Sequence, residues 1–162
     1  MHEHRIPGLK PRFAVLVTST TRSRETDTSG QPLMEFLKGK GYKVSAYDVI
    51  TDDPDAIKAK ARELLEKSDA LVISGGTGIS ASDFTVQAIR GISSREIDGF
   101  SNIFSMLSFE EIGTSAIMSS ASAFVVSNKP VFCLPGSPSG ARMGVERIIL
   151  PEIDHIIHEL SK

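Results

Sequence analysis

A chain of 162 residues, 40% hydrophobic and 23% charged, has the composition of an ordinary globular domain and is long enough to bury a full core. Its net charge of -2 leaves no basic excess to neutralise a phosphate backbone, which argues against a nucleic-acid partner. The single cysteine excludes an internal disulfide, and no apolar stretch approaches membrane-spanning length, so a cytoplasmic protein without membrane contact is expected.

The opening segment, MHEHRIPGLKPR, is polar, carries two prolines and lacks the apolar centre of a secretory signal. It reads as a flexible arm over 1–12, followed by one domain over 13–162. Phe13 to Val17 is continuously apolar and partly β-branched, as a strand buried on both faces should be. Ser19 to Gly30 is polar and reads as a loop. Leu33, Phe36 and Leu37 follow at helical spacing, and Gly41 stops that helix. Tyr42, Val44 and Ala46 alternate into Val49 and Ile50, a second strand. The clearest helix comes next: Ile57, Ala61, Leu64 and Leu65 form one apolar stripe, with Asp53 as the N-cap and Pro54 at the first helical position. Ala70 to Ile73 is the third strand.

Strands alternating with helices predict a parallel sheet covered on both faces. Beyond the third strand the pattern is less regular. Helical pieces are expected over 86–92 and 100–118, and the intervening SSREIDGF, residues 93–100, reads as no strand. Strand candidates return at Ala123 to Val126 and Val131 to Leu134, with Pro130 between them. Ala141, Val145, Ile148 and Ile149 make a last amphipathic helix, which Pro151 is expected to break before Ile153, Ile156, Ile157 and Leu160 continue the apolar face. Phe100, Ile103, Phe104, Met106, Leu107, Phe109 and Ile112 are more apolar residues than one helix face can bury, which points to a homo-oligomer built on the surface around 100–117.

The stretch SGGTGIS, Ser74 to Ser80, follows the third strand directly, and its glycines suit neither helix nor strand. Ligands of open α/β sheets bind at the carboxyl ends of the strands, where a glycine turn lets backbone N–H groups approach an anion. Gly75, Gly76, Thr77 and Gly78, with Ser80, Ser82 and Asp83 beyond them, read either as a phosphate cradle or as a tight strand-to-helix turn. Gly76 to Ala81 also satisfies the dinucleotide pattern G-x-G-x-x-A. That reading is weak, because the turn follows the third strand rather than the first, and the acids that could bind a ribose, Glu96 and Asp98, lie outside any strand. A second such turn, CLPGSPSGAR, runs from Cys133 to Arg142. Pro135 and Pro138 stiffen it, Gly136 permits close approach, and Ser137 and Ser139 supply hydroxyls. Arg142 would add a planar cationic fork. Two turns of this kind in one sheet favour a phosphorylated ligand split between them.

The carboxylates admit two roles each. With Asp53 engaged as a cap, Asp52 has no structural task, while Asp83 is either the cap of the following helix or a ligand. Asp52 and Asp83 facing a phosphate cradle would hold Mg²⁺, which takes one or two acids together with phosphate oxygens. Ser108 and Glu111 match a capping box and are equally candidates for the site. Cys133 reads as core, and His2, His4, His155 and His158 lack the company of a metal site.

The ordered set DTSG (27–30), SGGTGIS with Asp83 and Thr85 (74–85), REIDGF (95–100), MLSFEEIGTSAIMS (106–119) and LPGSPSGAR (134–142) resembles the MoaB/MogA family of molybdenum cofactor biosynthesis proteins, closest to its MoaB side. The resemblance runs from Phe13 to about Pro151. It implies a three-layer α/β/α, Rossmann-like fold with a mostly parallel sheet and a short irregular helical and β insertion in the second half. It also implies adenylyl transfer from Mg-ATP to molybdopterin with release of pyrophosphate, and a trimer or hexamer. The family's pocket loops would fall on Gly75 to Gly78 and on Pro135, Gly136, Ser137 and Pro138. Its functional acids would fall on Asp83 and on Asp52, with Asp53 as the competing alignment. Two departures stand out: Ser19-Thr20 where Ser-Asp is common, which weakens one polar contact, and Ala81-Ser82 where Pro-Arg is common, which removes a cation. The alternative is a non-catalytic pterin carrier or oligomeric scaffold of the same family.

Overall fold

The computed structural model describes residues 10–162. Six strands form one sheet in the order β2-β1-β3-β6-β5-β4, built from β1 (Phe13–Thr18), β2 (Val44–Ile50), β3 (Ala70–Ser74), β4 (Arg95–Glu96), β5 (Ser122–Val126) and β6 (Lys129–Leu134). Strands β1, β2, β3 and β6 run parallel, and β5 lies antiparallel to both β6 and β4. The helices are α1 (Gly30–Gly39), α2 (Pro54–Glu66), α3 (Thr85–Ile92), α4 (Asp98–Ile112), α5 (Pro138–Gly144) and α6 (Leu150–Leu160).

Alternation along the strands sends side chains to two separate cores. Phe13, Val15, Val72, Phe132 and Leu134 face α1, α4 and the α5–α6 region. Ala14, Leu16, Leu71, Ile73, Phe124 and Cys133 face α2 and α3. These strands are buried on both sides, which is why they read as continuous apolar runs, whereas edge strand β2 is half-exposed throughout. At the start of α2 the Asp53 carboxylate accepts the Ala56 N–H at 2.8 Å, with Pro54 in the first turn. Such a cap is worth about 1 kcal/mol. At the start of β1, Arg12 pairs with Asp69 at 3.2 Å. Of the expected arm, residues 1–9, with His2 and His4, lie outside the described residues.

Three local expectations are corrected. Arg95–Glu96, inside the segment read as no strand, pairs antiparallel with Phe124 and Val125 and forms the sheet edge. Two residues are too short to show a period, and only the neighbouring β5 makes them a strand. Pro151 does not break the last helix: a π turn over Val145–Ile149 joins α5 to α6 without interruption. The wider turn changes the hydrogen-bond register just ahead of the ring, which removes the clash a regular helix would suffer. Ser108 lies inside the last turns of α4, whose N-terminus is at Asp98, so Ser108 and Glu111 are not a capping box.

Pro130 sits within β6 rather than before it. Ser127 and Asn128 turn the β5–β6 hairpin with φ of 50° and 61°, the left-handed pair a two-residue turn requires. That turn makes Val125 and Pro130 a pair without mutual hydrogen bonds, and the β3 ladder begins only at Val131. The missing N–H therefore breaks no bond on either side.

Candidate functional site

The four parallel strands end together, and their chain order reverses between β1 and β3, so a crevice opens beyond Thr18 and Ser74. The loop after β3 is shaped by Gly75 and Gly76, at φ of 106° and 69°. A Cβ on Gly75 would press on the Thr18 carbonyl, and one on Gly76 would overlap the Thr85 hydroxyl, so both positions need glycine for conformation and for space. The loop is tied on every side. The Gly75 N–H reaches Leu134 O at 2.9 Å, the Thr85 N–H reaches Gly76 O at 3.1 Å, and the Ser120 N–H reaches Thr77 O at 2.8 Å. Ser74 donates its hydroxyl to Pro135 O at 3.1 Å, which joins this turn to the one after β6.

Between the two turns and the overlying α4 lies a cavity of about 390 Å³, within the range of small-ligand sites. Of the residues expected from sequence, Gly75, Gly76, Thr77, Gly78, Asp83, Ser108, Glu111, Pro135, Gly136 and Ser137 line it. Phe104, Ile112, Ser115, Met118 and Met143 also line it and were not foreseen as site residues, and Ser119, Ser139 and Gly140 complete the wall. For Phe104 the signal was present: with Ser108 and Glu111 it recurs at intervals of four and three, one face of a helix. What the pattern could not say is that this face covers a cavity. No lysine or arginine lines it among the described residues.

Asp83 is not a helix cap. The residue at the cap position of α3 is Phe84, which makes no such bond, and the Asp83 carboxylate instead accepts the Ser80 N–H at 2.9 Å, closing the glycine loop on itself. Ser80 works within that turn and lies outside the cavity wall. Asp52 also lies outside the wall, at the end of β2, yet close enough to Asp83 for their charges to interact. Burial pushes the Asp52 carboxyl up from its ordinary value, the Asp83 charge adds to this, and a hydrogen bond with Thr18 opposes it. Ser19 turns its hydroxyl to the N–H groups of Thr21 and Arg22, and Thr20 is exposed; neither borders the cavity.

Arg142 is engaged elsewhere. Its guanidinium lies 4.6 Å from the centre of the Phe36 ring and 3.5 Å from Glu146, and with Pro138 it borders a separate recess over Pro32 and Leu33. The expected phosphate fork thus points along α1, because α5 turns that side of its first turns away from the glycine loop. Cys133 is fully buried, and burial pushes its thiol up. No group of three or more potential metal-ligating side chains occurs among the described residues, His155 and His158 included, and no described helix is long and apolar enough to cross a membrane.

Residues 14–155 match the family model described as a probable molybdopterin binding domain. The molybdenum cofactor biosynthesis protein B of Bacillus subtilis is 38% identical over 164 residues, spanning 99% of this chain and 96% of that protein. A crystal structure of a molybdenum cofactor biosynthesis protein B superposes with a TM-score of 0.90 at 38% identity, covering 94% of this chain and 97% of the other. The tungsten cofactor synthesizing protein MoaB from Pyrococcus furiosus superposes with a TM-score of 0.86 at 28% identity, covering 94% and 98% of the two chains.

Proposed function

Because the chain belongs to the molybdopterin-binding domain family, among its molybdenum cofactor biosynthesis proteins, we propose that it transfers the adenylyl group of Mg-ATP to molybdopterin and releases pyrophosphate. The observation that carries this reading is the meeting of two glycine-containing turns around one cavity, with the neighbouring acids Asp52 and Asp83 at the same end of a parallel sheet.

The donor set fits Mg²⁺. Two carboxylates without a third are too few for an all-protein cage, and Mg²⁺ characteristically completes its shell with water and phosphate oxygens. Asp52 and Asp83 would hold it, and when bound it neutralises charge on the transferring and leaving phosphates. The N–H groups of Gly76 to Gly78 and of Gly136 and Ser137 would donate to phosphate oxygens and fix the α-phosphorus for in-line attack. Positioning of this kind is the protein's main contribution to phosphoryl transfer. The nucleophile is the terminal phosphate oxygen of molybdopterin. Its bond to the α-phosphorus forms as the bridging oxygen leaves with pyrophosphate, so no side-chain nucleophile is required.

A non-catalytic pterin carrier is the rival, favoured by the absence of any cationic side chain from the described cavity wall. Pyrophosphate release from Mg-ATP on addition of molybdopterin separates the two. Turnover in the wild type that falls about a hundredfold in Asp83→Asn supports transfer. Tight molybdopterin binding with no pyrophosphate establishes the carrier. We also propose that the protein works as a homo-oligomer, a trimer or hexamer, through the apolar face that α4 leaves exposed.

A further inference from the structure

The two ends of the cavity differ in chemistry. Toward the strands the wall is backbone and small hydroxyl groups, with Asp83 among them. Toward α4 it is Phe104, Ile112, Met118 and Met143, with the hydroxyls of Ser108, Ser115 and Ser119 and one carboxylate, the exposed Glu111. Asp83 already accepts the Ser80 N–H, whereas Glu111 has no hydrogen bond or ion pair with any described residue. Its place on the wall is dictated by the helix: Phe104, Ser108 and Glu111 are spaced four and three apart, so all three meet the cavity along one face.

An ionised carboxylate only accepts hydrogen bonds, and its two oxygens match two donors set side by side. Beside an apolar wall it therefore selects a flat ring with a donor–donor edge. A pterin has that edge, the ring N–H next to the exocyclic amine of its 2-amino-4-oxo face. Adenine sets its amine beside a ring nitrogen that accepts, so the carboxylate would meet a lone pair. Resting on the reading that this cavity takes molybdopterin and a nucleotide, we propose that Glu111 is a specificity-determining residue that accepts the two N–H donors of the pterin edge. The α4 end then takes the pterin, the glycine turn takes phosphate, and the adenine ring lies away from Glu111.

The test uses two small ring probes: pterin itself, and lumazine, in which a carbonyl replaces the amine. Fluorescence titration of the full-length protein should show pterin bound at least about tenfold more tightly than lumazine. Glu111→Gln, which offers one donor and one acceptor, should lose that preference, and Glu111→Asp should retain part of it. Equal binding of the two rings by the wild type overturns the proposal, as does a preference that survives in Glu111→Gln. Pyrophosphate release keeps the two readings apart. A protein that discriminates the rings but never adenylates defeats only the transfer reaction. One that adenylates molybdopterin with ring selectivity unchanged in Glu111→Gln defeats only the role of Glu111.

Discussion

Asp53 gives its carboxylate to the Ala56 N–H at the start of α2, and this leaves Asp52 as the acid at the end of β2. Asparagine caps about as well as aspartate, so Asp53→Asn should change stability by no more than about 0.5 kcal/mol in a urea melt. Asp52→Asn should behave in the opposite way. With its folded-state value raised by burial and by Asp83, the Asp52 carboxylate detracts from stability as pH rises through that value. The amide should therefore raise the melting temperature near neutral pH and leave it unchanged in strong acid, while Mg-dependent turnover falls. Loss of turnover in Asp53→Asn with none in Asp52→Asn would reverse the assignment. The two cavity glycines also separate. Gly76→Ala meets the Thr85 hydroxyl at a positive φ and should destabilise the fold by about 1–3 kcal/mol. A Cβ on Gly136 would reach only ordinary contact, 3.6 Å from the Gly75 Cα, so Gly136→Ala should melt like the wild type and weaken ligand binding alone.

The segment leading into α1 shows how an element is held by one buried acid. Asp27, 5% exposed, accepts the N–H groups of Ser29 and Gly30, both at 2.9 Å, and the Tyr47 hydroxyl from β2. Burial pushes its carboxyl up, but the hydrogen bonds from Tyr47, Gly30 and Ser29 outweigh that and hold it below the ordinary carboxylate range. A lowered folded-state value contributes stability that is present above the unfolded value and is lost as pH falls through the folded one. Asp27→Asn should therefore destabilise the protein by about 1–3 kcal/mol at neutral pH. In chemical denaturation the gap from wild type should shrink as pH drops below the usual aspartate range. A gap independent of pH would show that shape, rather than charge, fixes this turn.

Across the whole molecule the apolar surplus of 100–118 divides in two. Phe100, Phe104 and Leu107 are buried against the sheet, whereas Met106, Phe109, Ile112 and Ile117 are exposed, Phe109 by 59%. Phe104, a natural choice for probing an interface from sequence, belongs to the core and the cavity wall and would report on folding instead. Phe109→Lys is the informative substitution. Sedimentation should show the wild type as a trimer or hexamer and the variant as a smaller species with an unchanged thermal melt. A monomeric wild type, or an unaltered assembly in the variant, would remove α4 from the interface.

The chain by itself determined the layers and the two turns. Runs such as Phe13 to Val17 and Ala70 to Ile73 are readable because burial on both faces demands apolar residues at every position. Gly75 and Gly76 are readable because a positive φ beside a neighbouring strand leaves no alternative residue. Both are local demands, met by residues close in sequence. Tertiary structure alone decided that Arg142 stacks on Phe36 and that α4 roofs the cavity with Phe104 and Glu111. Each of these depends on where a helix comes to rest against distant strands. Periodicity says which residues share a face, but only packing says what that face meets.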